Sequence, residues 1–172
     1  MPKLPTPATA CPYVVGDDGL ASWSDTHKEA WIGLLETHKQ LTRALDAELD
    51  AQHGLSLSGL ELLGRLASAE GQHLRLSVLA QEAALSLSRV SRIIDLLAAR
   101  QLVQREPCPG DARAIEAHLT EDGLSLARQA QATHFASVQQ RFFDQLQPGE
   151  LEILAGVFGR LSPRAAAACT TD

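Results

Sequence analysis

The sequence predicts a mostly α fold that carries one small β-hairpin. Three observations predict it. Apolar residues recur at intervals of three and four over most of the chain, the helical period. Only 4% of the 172 residues are aromatic while 45% are hydrophobic, a balance that favours aliphatic helix packing over a sandwich or barrel. One stretch, residues 102–119, breaks the helical rhythm: Ile115, Ala117 and Leu119 alternate with Glu116 and His118, the period of a half-buried strand.

In chain order, residues 1–23 hold Pro2, Pro5, Pro7 and Pro12 with Gly16 and Gly19, which predicts a flexible arm without the apolar core of a signal peptide. From Ser24, the spacing of Trp31, Leu34, Leu35, His38, Leu41, Leu45 and Leu49 predicts a long amphipathic helix, with Gly54 as its C′ residue. Ser58 and Glu61 form a capping box for a second helix through Leu66 that stops at Glu70-Gly71. Leu74-Arg75-Leu76 is then a short extended link. Ser77 caps a helix of about two turns, and the "LSLS" stretch breaks and recaps the chain. The next helix, Leu87 to Arg100, turns Val90, Ile94 and Leu97 inward. Leu102 to Arg105 is the first hairpin arm, and Pro107, Pro109 and Gly110 suit a turn better than a ladder. Asp111, Ala112 and Arg113 fall near the tip. Thr120, followed by Glu121 and Asp122, caps a helix that runs to Leu146. Pro148 opens a last helix to Leu161, ended by Ser162-Pro163, and residues 163–172 form a frayed tail. No internal repeat and no linker divides residues 24–162, so they are expected to form one domain.

The net charge of −6 is uneven. Between Arg75 and His118, six basic residues face five acidic ones, so the acidity lies in the flanks. A slightly cationic insert in an acidic frame is compatible with DNA held by a few placed arginines rather than a basic coat. No apolar run approaches the ~20 residues that cross a bilayer, so no membrane partner is expected and the expected compartment is the cytoplasm.

A helix, a tight turn, a second helix and then a ribbon is the winged helix-turn-helix order: the second helix fits the major groove and the ribbon reaches the adjacent minor groove. The helix from Leu87 has the sidedness this needs, with Ser88, Ser91, Arg92 and Asp95 outward and Arg89 at the border. The text "LAQEAALSLSRVSRIIDLLAARQLVQR", then Asp111-x-Arg113 and Leu119-Thr120-Glu-Asp-Gly, resembles the MarR family of bacterial transcription regulators. The resemblance is carried by the order of the pieces and spans about Ala30 to Leu161. It implies a winged helix-turn-helix lobe at 55–119 and dimerisation helices at 24–54 and 120–162. It further implies a homodimer on double-stranded DNA with a pseudo-palindromic operator, repressing transcription until a small aromatic or carboxylate effector binds. Ser88, Arg89, Ser91 and Arg92 would face bases and phosphates, Arg113 would be the wing-tip arginine, and Asp111 would orient it. Two positions depart from the family pattern: Gln101 stands where glycine usually follows the recognition helix, and Ala112 where a second wing arginine is common.

Trp31 and His38 are candidate effector contacts, although a histidine on an apolar helix face more often serves packing. Cys11, Cys108 and Cys169 are odd in number and lie far apart, and the six histidines show no i, i+4 pair. Neither a disulfide framework nor a metal centre is indicated, and no cofactor is expected. Cys108 beside Arg105, or Cys11 in the arm, supplies an alternative mechanism: a redox-responsive regulator with an exposed thiol of lowered pKa. Neither G-x-S-x-G nor G-x-x-x-x-G-K occurs, so an enzyme is not expected.

Overall fold

The computed structural model describes residues 13–108 and 111–161, without the side chains of 111–113. Cys11, Cys169 and the expected tail at 163–172 lie outside the described residues. The chain divides into two compact units, residues 1–42 and 43–172.

In the first unit, part of the expected arm is a hairpin. Strands β1 (Tyr13–Val15) and β2 (Ala21–Trp23) pair antiparallel, Tyr13 opposite Trp23. The turn closes through Gly16 N–H to Leu20 O at 2.9 Å, with Gly19 at φ +76°. Helix α1 (Asp25–His53) follows, and its Trp31 meets Trp23 edge to face at 6.0 Å. The proline-rich composition of the first twelve residues does not extend over 13–23, where Tyr, Val and Trp favour strands.

The second unit holds the core. Helix α2 (Leu57–Ser68) is capped by Ser56, whose Oγ accepts from Gly59 N–H at 3.0 Å, two residues before the expected Ser58. Leu57 N–H donates to Asp46 Oδ1 at 2.8 Å, which fixes the earlier start. The expected extended link at 74–76 overlaps a strand, β3 (His73–Arg75), while Leu76 already belongs to the next helix. Helix α3 (Leu76–Glu82) starts one residue before Ser77 and has no side-chain cap. Helix α4 (Leu87–Ala99) is capped by Ser86, with Val90 and Ile94 fully buried and Leu97 nearly so. Strands β4 (Val103–Cys108) and β5 (Asp111–Leu119) are longer than the expected arms and form a three-stranded sheet in the order β3-β5-β4. Pro107, expected in the turn, pairs with Ile115; it is tolerated because β4 is an edge strand, and the register shifts just after it.

Helix α5 (Glu121–Arg141) is capped by Thr120 as expected, but ends short of Leu146 in a 3₁₀ turn at Phe143–Gln145. Helix α6 (Glu150–Leu161) begins two residues after Pro148. Leu62, Leu63, Leu66, Leu79, Val90, Ile94, Ala117 and Ala130 join into one core under the sheet and helices.

The wing hands over to α5 through a tight joint. Thr120 Oγ1 donates to Gln101 O and Leu102 O at 2.9 and 3.0 Å and accepts from Gly123 N–H at 3.0 Å. A Cβ at position 123 would collide with the Leu102 carbonyl oxygen, so only glycine fits there.

Candidate nucleic-acid interface

The turn before α4 and the turn after it share one geometry. Ala84, at φ +52°, lets Leu85 N–H reach Ala80 O and its own N–H reach Gln81 O, closing α3. Gln101, at φ +61°, does the same for α4, with Leu102 N–H to Leu97 O at 3.0 Å and its own N–H to Ala98 O at 2.9 Å. Both are Schellman closures, which glycine usually makes. The departure from glycine at 101 therefore leaves the left-handed conformation in place on a residue that bears a Cβ.

Between these turns the first two turns of α4 present a polar face. Ser88, Arg89 and Arg92 are exposed, and Ser91 is half-buried beside them. Arg89 Nη2 donates to Ser58 Oγ of α2 at 3.3 Å, and Arg92 Nε donates to Ser88 O at 3.3 Å. No acid lies in the first turn of α4, so its positive dipole end and both guanidinium groups favour an anion. Asp95, one turn on, pairs with Arg105 of β4 and ties helix to wing. Asp111 and Arg113 fall on β5 at the tip end of the hairpin, their side chains outside the described residues.

The outer face of the sheet is charged and aromatic. His73 and His118 stack in parallel at 4.8 Å, His118 Nε2 stands 3.7 Å from both Glu106 and Glu116, and Arg75 lies 3.5 Å from Glu116. Cys108, expected at an exposed turn, is instead the last residue of β4 and only 3% exposed, which contradicts the exposed thiol of the redox alternative.

Two further features escaped the sequence reading. Arg100, at the C-cap of α4, donates to Gly54 O at 2.5 Å and His53 O at 2.9 Å, gripping the C-terminus of α1. Such contacts join residues 46 and 47 apart and leave no periodic signal. Between α2 and α5 lies an open cavity of about 410 Å³, walled by Glu61, Gly64, Ser68, Arg128, His134 and Phe135 among others. His134 Nδ1 is buried there without a hydrogen-bond partner, and burial lowers the pKa of its ring. Trp31 and His38 are not among the residues that line this cavity; both are exposed on α1.

A recognition-type helix behind a tight turn, followed by an antiparallel wing, defines a winged helix-turn-helix protein. The sequence model of the MarR family matches residues 53–114. The chain is similar to AbsC, a MarR family transcriptional regulator of Streptomyces coelicolor: 34% identity over 85% of this chain and 98% of that one, with a TM-score of 0.74. It is also similar to Sco3205, another MarR family transcriptional regulator of S. coelicolor, whose crystal structure is in complex with DNA. There the identity is 28% over 82% of this chain and 89% of that one, with a TM-score of 0.75. A curated relative, the uncharacterized HTH-type transcriptional regulator YhbI of Bacillus subtilis (strain 168), is 33% identical over 87 residues, 51% of this chain. That match spans little more than half of YhbI, 56% of its length. The chain belongs to the MarR family.

Proposed function

We propose that this chain is a homodimeric transcriptional regulator that binds a pseudo-palindromic operator in double-stranded DNA through α4 and its wing. The observation that carries this is the sidedness of α4: three buried aliphatic residues inward, and Ser88, Arg89, Ser91 and Arg92 outward on its first two turns. Those turns enter the major groove, while Arg113, oriented by Asp111, reaches the minor groove from the wing. The DNA complex of Sco3205 supports the reading by similarity.

The dimer reading is supported by exposure. Every residue from 13 to 40 is exposed, Trp31, Ile32, Leu34 and Leu35 among them, as are Ile153 and Leu161 of α6. So much apolar surface on ordered helices needs a partner. Repression by promoter occlusion, relieved by an aromatic or carboxylate effector, is the output; the cavity between α2 and α5, with Arg128 on its wall, suits a small carboxylate.

The test is selection of bound genomic fragments followed by footprinting. A two-fold symmetric footprint with half-sites roughly one helical turn, about 10 bp, apart is expected. A footprint without that symmetry, or binding abolished equally by any competitor DNA, overturns the reading.

A further inference from the structure

We propose that Arg100 is a positioning residue: by clamping the end of α4 to the end of α1 it sets the half-site separation that the dimer reads. The inference rests on the operator reading above and goes beyond it by assigning a residue that touches no base. Val90, Ile94 and Leu97 bury α4 against an apolar core. Interdigitating side chains set a helix's crossing angle only to within roughly 15–20°. Directional contacts narrow it further, and the side chains of α4 and its cap make them to three other elements among the described residues: Arg89 to Ser58 of α2, Asp95 to Arg105 of the wing, and Arg100 to α1. The first two stay inside the winged lobe. Only the third, among these, reaches a helix proposed to carry the partner.

The clamp is built on both sides. Arg100 meets the negative end of the α1 dipole with a two-pronged guanidinium, one nitrogen to each of two successive carbonyls. Gly54, at φ +61°, takes the left-handed conformation that ends α1 where its carbonyl meets Arg100. His53, whose carbonyl takes one prong, also bonds through its ring Nε2 to Thr133 Oγ1 of α5 at 2.8 Å. One residue thus joins the recognition helix to α1 and α5 together. In a two-fold dimer, a change of tilt at this joint moves both recognition helices symmetrically and alters the distance between them.

The experiment titrates the full-length protein against operators that differ only in half-site separation: the preferred one, and one base pair to either side. Arg100→Ala should lose about tenfold at the preferred separation and less than about twofold at the neighbours, so that discrimination collapses. The slope of log K against log salt should stay that of the parent, since this guanidinium neutralises carbonyls rather than phosphate. Equal loss at all three separations, or intact discrimination, overturns the proposal; so does a slope shallower by about one charge. Should Arg100→Ala fail to fold in a thermal melt, Arg100→Lys decides, because it keeps the charge without the two prongs: partial loss of discrimination is expected, and full discrimination overturns. A parent that prefers no pair of half-sites at any separation sinks the operator reading, and this one with it.

Discussion

At the scale of single residues, the wing tip offers the sharpest measurement. If Arg113 is drawn into a narrow minor groove by its negative potential, Arg113→Ala weakens operator binding by roughly 1 to 3 kcal/mol and makes the salt slope shallower by about one charge, with dimerisation untouched. Parent-like binding at several salt concentrations would show that the arginine only decorates a turn. Gln101 gives a prediction of opposite sign. It holds φ +61° to close α4, a conformation that costs a residue with a Cβ roughly 1 kcal/mol. Gln101→Gly should therefore raise stability by about 0.5 to 1 kcal/mol in denaturant titration, the gain trimmed by the larger unfolded-state entropy of glycine. The family resemblance made this departure visible, because it implies a glycine after the recognition helix where Gln101 stands. It did not show Arg100 at work, since a clamp between distant helix ends depends on the assembled fold.

At the scale of elements, α1 and α5 meet through a polar seam. Ser137, only 4% exposed, donates to Glu48 Oε2 at 2.6 Å and accepts from Arg141 Nε at 3.0 Å, while Arg141 Nη2 stands 3.4 Å from the same carboxylate. The Ser137 hydroxyl, helped by Arg141, holds the Glu48 carboxyl below the ordinary carboxylate range. A lowered folded-state pKa stabilises the fold at pH above the unfolded value of about 4.3, and that stability is lost as pH falls through the folded value. Glu48→Gln should melt below the parent at neutral pH, and the gap should close on acidification. A gap that stays constant down to about pH 3 would show that the seam does not depend on the charge. The Thr120 cap of α5 and the buried stripe of α4 were legible because caps and periodicity are local. The extended backbone at Leu74-Arg75 was legible too, but the pairing that makes β3 was not, because His73, Leu74 and Arg75 find His118, Ala117 and Glu116 more than forty positions later. The start of α2 slipped because the local Ser58-Glu61 spacing fits a capping box, whereas the earlier start at Ser56 goes with the long-range reach of Asp46 to Leu57 N–H.

At the scale of the whole molecule, the exposed apolar residues between Tyr13 and Leu35 are the surface that the proposed dimer would cover. A hairpin of two three-residue strands is marginal alone, and the helix after it buries nothing before Leu45. Leu35→Asp should turn the homodimer into a monomer by light scattering at micromolar concentration, and with it abolish the symmetric footprint. A dimer that survives the change places the interface elsewhere. The hairpin was missed in the sequence because the prolines before it dominate the composition of the first 23 residues, although Tyr13, Val14, Val15 and Trp23 are strand formers. The joint at Thr120 bears on how the molecule opens. Its hydroxyl, the Leu102 carbonyl and the space denied at Gly123 lock the last strand of the wing to the first turn of α5, so neither can fray without the other. In amide hydrogen exchange, Leu102, Thr120 and Gly123 should lose protection as one cooperative unit with the helical core; exchange of any of the three well before the other two would show that the joint does not hold them together.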